Sequence, residues 1–305
     1  MSSVVVTLFE GDHHLGAAAL INSLHAAGFS GTVICGHRGP LPPWAHTARH
    51  LADIEVEFVA LETTAHLTNY KPEFLLHVWT TLRPAAARLF YFDPDIVLKT
   101  RWSFLEEWTD YGVALVEDVN SPLPESHPRR GAWRRCLAAR RKRVRRETPL
   151  YVNGGFIGLT REHLGFLHEW RDAMTLVGEE IGGLDRSMFS FAADLASPAY
   201  PFSKTDQDAL NIALMSASQP ISVMGAEAMD FRPGGWTLSH AIGPEKPWRK
   251  KFLRAALAGR APTPADHAFW QHASAPLPAF SARTATRQRS SLSLAGLLGR
   301  FYRRA

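Results

Sequence analysis

The first 36 residues alternate between strand-like and helix-like sequence. Residues 4–9 are a short, β-branched apolar run, which is typical of a strand buried on both faces. Residues 15–27 are rich in helix formers and stop at Gly28, a residue suited to a helix C-terminus, and residues 31–36 return to strand character. A strand, a helix and a strand in this order predict a parallel sheet with helices on its faces.

The alternation continues along the chain. Further strands are predicted at residues 54–61, 88–92, 112–116 and 151–159, and a helix at residues 72–82. Residues 120–148 interrupt the pattern with Pro, Arg and Ser, which predicts an insertion whose residues 129–147 form a basic loop. We therefore predict one α/β domain over residues 1–250 and a basic, amphipathic C-terminal extension over residues 251–305.

Charge is distributed unevenly. Lys and Arg number 34 against 29 Asp and Glu, but ten of these bases lie in residues 129–146, where there is no acid, and six Arg follow Asp266, the last acid. Without these two segments the chain has 18 bases and 29 acids, a net charge of −11. The basicity is therefore local, and the body of the protein is acidic.

The cysteines and the apolar runs of the sequence indicate in which cellular compartment the protein is expected. Cys35 and Cys136 are far apart and form no metal-ligand spacing, so reduced thiols in a reducing compartment are expected. The apolar run at residues 4–9 lacks the basic flank of a signal peptide, and no run approaches the roughly 18 to 20 residues that cross a bilayer. These features predict a cytoplasmic protein.

Two carboxylates follow the predicted strand at residues 88–92. Asp93 and Asp95 stand where an open α/β sheet binds ligands, and paired hard oxygens suit Mg²⁺ or Mn²⁺ bridging phosphates. The alternative is structural, with Asp93 and Pro94 in a turn that Asp95 caps.

A second motif lies about 150 residues later, from His240 to Trp248. The imidazole of His240 can supply a third metal ligand, Gly243 lets the backbone approach a phosphate, and Lys246 can offset charge on a leaving diphosphate. The structural alternative is a surface turn with a stacked Trp.

Four blocks in one order resemble a known family. They are residues 5–8 with Asp12; Asp93 to Asp95; residues 153–156 followed by residues 206–211; and residues 240–248. Together they resemble the metal-dependent GT-A glycosyltransferases of family 8, which include glycogenin and the bacterial lipopolysaccharide galactosyltransferases and glucosyltransferases. The resemblance spans about residues 4–250 and implies a GT-A, Rossmann-like mixed sheet with helices on both faces.

The resemblance also implies site residues and chemistry. Mn²⁺, or Mg²⁺, would be held by Asp93, Asp95 and His240. The donor would be bound by Thr7, Leu8, Asp12, Lys71, Asp93, Asp118, Gly154, Gly243 and Lys246. The catalytic residues would be Asn153, Asp206, Gln207 and Lys246. The implied reaction moves a hexose from a nucleotide sugar, UDP-galactose or UDP-glucose, to a saccharide with retention of configuration.

Structural alternatives exist for several of these residues. Asn153, which precedes two glycines, is also typical of a turn. Asp206 suits the N-cap of a helix, which would leave Gln207 and Asp208 exposed in its first turn. Thr7 is also an ordinary strand residue.

The C-terminus predicts an amphipathic basic helix. Its apolar side consists of Leu294, Leu297, Leu298, Phe301 and Tyr302, and its other side of Arg300, Arg303 and Arg304. Such a helix binds anionic lipid, and the basic segment at residues 129–146 offers a second contact. The resemblance implies a lipid-linked glycan or lipopolysaccharide acceptor, so we expect a peripheral protein at the inner face of the membrane. The alternative is that the helix packs on the domain and the Arg-rich loop is solvated.

Two other functions fit parts of the sequence. A phosphatase of the haloacid dehalogenase type would use Asp93 as its nucleophile, but its motif normally opens the fold, whereas here a strand, a helix and a strand come first. A nucleic-acid-binding protein would use residues 129–146, but the acidic body disfavours it, and we expect no nucleic-acid partner.

Overall fold

A mixed β-sheet organises the chain. The computed structural model describes residues 2–49, 51, 53–187 and 200–302. In these residues seven strands form one sheet in the order β3-β2-β1-β4-β7-β6-β8, with bounds β1 Ser3–Glu10, β2 Gly31–Arg38, β3 Ile54–Ala60, β4 Arg88–Phe92, β6 Val113–Val116, β7 Phe156–Thr160 and β8 Ile221–Met224. Two short strands, β5 Ile96–Leu98 and β9 Leu238–His240, form a separate antiparallel pair.

Helices lie between these strands and after them. Their bounds are α1 His14–Ala26, α2 Ala45–Ala48, α3 Lys71–His77, α4 Trp102–Thr109, α5 Pro128–Ala139, α6 Gly165–Ile181, α7 Thr205–Ser216, α8 Phe252–Leu257, α9 Pro264–His272 and α10 Ala282–Gly299. A π-helical turn, Val78–Leu82, continues α3. The predicted α/β class and the predicted opening of strand, helix and strand are confirmed.

The pairing directions agree with the predicted fold class. β1 is parallel to β4, β2 to β3, and β6 to β8, whereas β6 and β7 are antiparallel. Val6 of β1 is paired with Tyr91 of β4, so these two strands end at the same edge of the sheet. In open α/β sheets this carboxyl edge is where ligands bind.

The chain divides into two compact units. The first comprises Met1–Leu8, Leu61–Tyr91 and Leu105–Ala226, and the second comprises Phe9–Ala60, Phe92–Phe104 and Glu227–Ala305. The core of the first unit contains the fully buried Trp79, Trp133 and Trp170. The core of the second contains Trp270 and Phe269, packed against Ala19 of α1.

The residues after position 250 are part of the second unit. They were predicted to be an extension, but they form α8, α9 and α10, and Phe252, Trp270 and Leu292 are buried in one cluster. Asn22 of α1 donates hydrogen bonds to the carbonyl oxygens of His272 (2.6 Å) and Leu277 (3.0 Å). The prediction followed the basic and Pro/Ala-rich composition, which hides a small number of large apolar residues that pack on the unit.

The predicted C-terminal helix is present, and the side chains that it buries on the unit are not those of the predicted apolar side. α10 buries Leu292 and Ala295, whereas Leu294, Leu297 and Phe301 are exposed. Arg303 and Arg304 lie outside the described residues.

The segment predicted as a basic loop contains a helix, α5. Trp133 anchors it, because its buried indole donates a hydrogen bond to the carbonyl oxygen of Pro201 at 2.7 Å. Of the ten bases in residues 129–146, six contact protein acceptors in the described residues: Arg129, Arg130, Arg134, Arg140, Lys142 and Arg146. Most of these bases therefore make contacts within the protein.

Candidate functional site

The residues predicted for the site form two groups, one within each unit. The second unit contains Asp12, Asp93, Asp95, His240, Gly243 and Lys246. The first unit contains Thr7, Leu8, Lys71, Asp118, Asn153, Gly154, Asp206 and Gln207.

The β5–β9 pair brings the predicted metal ligands together. Ile96 at the start of β5 is paired with His240 at the end of β9, so the residue before β5, Asp95, lies beside His240. The Ala241 amide donates to the Asp95 carbonyl oxygen at 3.0 Å, which extends the pairing by one bond. Two distant sequence motifs thereby meet at one point.

Asp93, Asp95 and His240 form a compact ligand set. One potential ligand atom from each lies within 4.8 Å of the others. His240 Nε2 is 3.3 Å from Asp95 Oδ1, and Lys246 Nζ is 2.5 Å from Asp95 Oδ2. Asp95 and His240 are buried, whereas Asp93 is partly exposed. Solvent therefore reaches the cluster mainly at Asp93.

The electrostatics keep Asp95 ionised. Burial alone would raise the pKa of Asp95, but His240 and Lys246 together lower that pKa well below its usual value. His240 Nδ1 is buried and has no hydrogen-bond partner among the described residues. Carboxylate and imidazole donors at this spacing, with one imidazole nitrogen unsatisfied, fit a divalent cation such as Mn²⁺ or Mg²⁺.

A turn after β9 positions the predicted phosphate-binding residues. Gly243 has φ +92°, a backbone conformation that other L-residues rarely adopt. The Lys246 side chain extends back to the start of this turn, where its Nζ also donates to the Ala241 carbonyl oxygen at 2.9 Å. The Lys246 ammonium is thus held beside the metal ligands.

Gly16 of α1 packs against the loop that carries both aspartates. A Cβ at position 16 would lie 2.3 Å from the Pro94 carbonyl oxygen and 3.0 Å from the ring of Trp248. Only glycine permits this close approach of the helix to the loop. The sequence gives no local signal for this contact, because Gly16 lies within an ordinary helical pattern.

Asp12, predicted near the base or ribose, is engaged in an ion pair. Both of its carboxylate oxygens accept hydrogen bonds from the Arg249 guanidinium, one of them at 2.6 Å. The hydrogen bonds from Arg249 hold the pKa of Asp12 below its ordinary value. Arg249 lies one residue beyond the motif at residues 240–248. The sequence shows only that a base is near this motif, and does not indicate that it pairs with Asp12.

In the first unit, Lys71 is buried against Asp206. Its Nζ donates to Asp206 Oδ2 at 2.8 Å and to the Gly154 carbonyl oxygen at 2.9 Å. Both side chains of the ion pair are at least 95% buried, with exposures of 2% and 5%. Lys71 therefore contacts Asp206 and Gly154 and orients both.

Gln207 and Asn153 form a second part of this network. Gln207 Oε1 accepts from the Gly154 amide at 3.2 Å and from Asn153 Nδ2 at 3.3 Å. Asn153 Nδ2 also donates to Asp118 Oδ2 at 2.7 Å. Burial raises the pKa of Asp118, but the positive charge of Lys204 lowers it. The pKa of Asp118 lies on balance below its ordinary value.

The alternative in which Asp208 is exposed is wrong. Asp208 is fully buried, and its carboxylate accepts from Arg129 (2.6 Å), Tyr151 (2.7 Å) and the Lys204 amide (2.8 Å). Burial nevertheless raises the pKa of Asp208 to about 6. The contacts of Arg129 and Tyr151 were not predicted, because their sequence neighbours reveal nothing about a partner on α7.

Among the predicted site residues of the first unit, three polar atoms are buried and unsatisfied in the described structure. Asp206 Oδ1 and Gln207 Nε2 lack hydrogen-bond partners within the part of the chain that the structure describes. Thr7 Oγ1, in the buried strand β1, is a third such atom, and the neighbouring Leu8 is an ordinary core residue. Unsatisfied buried polar atoms are costly, so a ligand that pairs with Asp206 or Gln207 would be favoured.

Comparison with known proteins identifies the fold. WbbM, a bifunctional glycosyltransferase solved in the apo form, matches with a TM-score of 0.52 at 15% sequence identity, over 89% of this chain and 51% of WbbM. The chain has the GT-A fold. It spans about half the length of WbbM.

A second solved structure is also similar. The galactosyltransferase LgtC, in complex with donor and acceptor sugar analogues, matches at 14% identity and a TM-score of 0.48, over 95% of this chain and 96% of LgtC. The sequence itself matches no known family model and no curated protein. Asp93 follows β4 and not the first strand, which disfavours the phosphatase alternative.

None of the helices in the described residues has the length and hydropathy that crossing a bilayer requires.

Proposed function

We propose that this protein is a metal-dependent glycosyltransferase that moves a hexose from a nucleotide sugar to a saccharide acceptor. The observation that carries the proposal is the cluster of Asp93, Asp95 and His240, with the Lys246 ammonium on the same carboxylate. A cation site beside a fixed ammonium suits a diphosphate, and the GT-A fold supports this use.

The chemistry follows from charge. A divalent cation held by Asp93, Asp95 and His240 would stabilise the negative charge that grows on the nucleoside diphosphate as the glycosidic bond breaks. Lys246 supplies a second positive charge to the diphosphate, and the turn at Gly243 gives the phosphates access to the backbone. Lys246 contacts one oxygen of Asp95, a carboxylate that would also hold the cation, so its ammonium lies beside the position where the diphosphate would bind.

The predicted site residues of the first unit are proposed to bind the donor sugar. Asp206 and Gln207 each present one buried, unsatisfied polar atom suited to sugar hydroxyl groups. Asn153, Asp118 and Lys71 keep these two side chains in place. The family resemblance supports retention of configuration, with the departing phosphate assisting deprotonation of the acceptor.

The identity of the donor is proposed from the same resemblance. UDP-galactose or UDP-glucose is the favoured donor, with the base near Thr7, Leu8 and Asp12. The Asp12–Arg249 pair offers both an acceptor and a donor to a base or ribose.

The acceptor is proposed to be a lipid-linked glycan or lipopolysaccharide, and the enzyme to act in the cytoplasm at the inner face of the membrane. The apolar side chains that α10 leaves exposed support a membrane location.

A thermal-shift screen of nucleotide sugars, with and without Mn²⁺, tests this function. A donor present at 100 times its Kd adds about 2.7 kcal/mol of stability, because it binds only the folded state. We expect stabilisation by a UDP-hexose that requires Mn²⁺ and is lost in His240→Ala. If no nucleotide sugar stabilises the wild-type protein with Mn²⁺ present, the proposal fails.

A further inference from the structure

A basic groove lies between α8 and α10, within the second unit. Its volume is about 1040 Å³, and its cationic lining includes Lys251, Arg254, Arg283 and Arg287. Lys250 also lines it but is paired with Asp266, at 2.8 Å. The remaining described lining residues are apolar or neutral, and none of them is a carboxylate.

The four cations of this groove lack internal partners. Lys251, Arg254, Arg283 and Arg287 are exposed, and none forms an ion pair in the described part of the chain. No acid follows Asp266 in the sequence that contains α10. Four like charges around one groove repel one another, and an anion with more than one negative charge would relieve that repulsion.

The contrast with the other basic segment is informative. In residues 129–146, six of the ten bases contact acceptors of the protein itself in the described residues, among them Arg129 with Asp208 and Lys142 with Asp172. The groove therefore has cations on or beside two neighbouring helices that form no ion pair with the described residues, whereas residues 129–146 have mainly internal contacts.

Apolar side chains are exposed on the same pair of helices. Of the ten large hydrophobic residues that are exposed in the described chain, five lie on α8, on α10 or directly after α10: Leu253, Leu257, Leu294, Leu297 and Phe301. Leu257 is 83% exposed and Phe301 80%. Such a concentration of apolar surface in a small part of a protein marks an interaction site.

α8 and α10 pack against each other, and contacts near both ends indicate that they run in the same direction. Arg254 and Arg287, from their N-terminal halves, line the groove, and the Tyr302 hydroxyl beyond α10 donates a hydrogen bond to the Ala256 carbonyl oxygen. The helix pair therefore has the cations at one end, and Leu257 and Phe301 at the other. This combination of phosphate-binding cations and exposed apolar side chains is typical of a surface that lies on an anionic bilayer.

We propose that the groove between α8 and α10 binds the phosphate of an anionic lipid headgroup, with the neighbouring apolar side chains entering the interface. Guanidinium groups form paired hydrogen bonds with phosphate oxygens, and the groove is large enough for a headgroup. The inference deepens the proposed membrane location, on which it rests, and assigns that location to α8 and α10 instead of residues 129–146.

Vesicle flotation of the full chain tests the inference. We compare phosphatidylcholine vesicles with vesicles that also contain phosphatidylglycerol, using wild type, the groove variant Arg254→Gln/Arg287→Gln and the control Arg143→Gln/Arg145→Gln. Both variants lose two positive charges from exposed positions. Circular dichroism of each variant first confirms that it is folded.

We expect wild type to bind only the anionic vesicles. The groove variant should bind them roughly 30-fold more weakly, since each basic residue near such a surface contributes about fivefold, or about 1 kcal/mol. The control should change by less than about threefold, because its charges lie outside the groove. Equal losses in the two variants, or no binding by wild type, would overturn the inference.

A soluble ligand is distinguished by inorganic phosphate. If millimolar phosphate stabilises the wild type at constant ionic strength but anionic vesicles do not retain it, the groove binds a free phosphate and the lipid assignment is wrong. Flotation requires no nucleotide sugar. Its failure therefore leaves the donor screen intact, and failure of the donor screen leaves the flotation result intact.

Discussion

Among single residues, Lys71 was predicted to bind the donor. In the structure its ammonium donates hydrogen bonds to Asp206 and to the Gly154 carbonyl oxygen. A buried ion pair of this kind contributes little net stability, but removing one partner leaves the other as an uncompensated buried charge. The pair thus determines which Asp206 oxygen remains free for a ligand.

Lys71→Met is expected to lower the free energy of unfolding by about 3 to 5 kcal/mol, because it leaves Asp206 buried and unpaired. The double variant Lys71→Met/Asp206→Asn should recover most of that loss, since it removes both charges, yet should not transfer sugar. Urea denaturation and a transfer assay check both parts. Full activity in the double variant would show that Asp206 has no role in the reaction.

Asp208 predicts a pH dependence of stability. Burial raises the pKa of Asp208 in the folded state to about 6, from 3.8. The folded state therefore favours the protonated form, and its stability falls as pH rises through the folded pKa. Relative to Asp208→Asn, wild type should lose on the order of 1 to 2 kcal/mol between pH 5 and pH 8, measured by urea denaturation. Parallel pH profiles for the two proteins would contradict this.

The predicted metal ligands could be identified from the sequence, but the ion-pair partners of other site residues could not. Asp93, Asp95 and His240 could be identified because each lies in a recognisable motif beside a strand, and the structure brings them together. The Arg249 partner of Asp12 and the Arg129 partner of Asp208 could not be identified, because such pairs depend on tertiary distances between residues far apart in sequence.

At the scale of elements, the long apolar runs were predictable and the short or basic elements were not. β1, β4 and α1 carry strong local patterns and end within a few residues of their predicted bounds. β5 and β9 have three residues each, too few for a periodic pattern, although their pairing positions His240. α5 was missed because its many Arg and early Pro and Gly concealed a helical segment anchored by Trp133.

The contact of α1 with the aspartate loop can be tested through Gly16. Gly16→Ala places a methyl group against the Pro94 carbonyl oxygen, so we expect a loss of about 1 to 3 kcal/mol in stability and weaker Mn²⁺-dependent donor binding. The matched control is Gly296→Ala on α10, where the nearest atom is 4.0 Å away, and it should be neutral or stabilising by up to about 1 kcal/mol. Thermal shifts with and without Mn²⁺ check the pair. Unchanged donor binding in a stable Gly16→Ala variant would refute a positioning role.

At the scale of the whole molecule, the C-terminal residues combine two properties that composition alone could not separate. They complete the core of the second unit through Phe252, Trp270 and Leu292, and they contain the unpaired cations of the groove. The net charge of +5 therefore arises from two basic segments of an otherwise acidic protein, and some of these bases form ion pairs within the protein.

Two leucines of α10 test whether this helix is part of the second unit. Leu292 is 3% exposed and packs in the cluster with Trp270, whereas Leu297 is 49% exposed. Leu292→Ala should lower the free energy of unfolding by about 2 to 5 kcal/mol, and Leu297→Ala should change it by less than about 0.5 kcal/mol. Urea denaturation measures both. Equal and small effects would mean that α10 does not pack on the unit.

The most direct test of metal-dependent transfer is the release of nucleoside diphosphate from a UDP-hexose as Mn²⁺ is titrated. Asp95→Asn is compared with wild type, and Asp110→Asn, which changes an exposed carboxylate outside both clusters, serves as the control. We predict that wild-type release rises with Mn²⁺, that Asp95→Asn loses about 100-fold or more, and that the control stays within about twofold. Equal wild-type release with and without Mn²⁺, or release by Asp95→Asn at the wild-type rate, would contradict a metal-dependent role for Asp95.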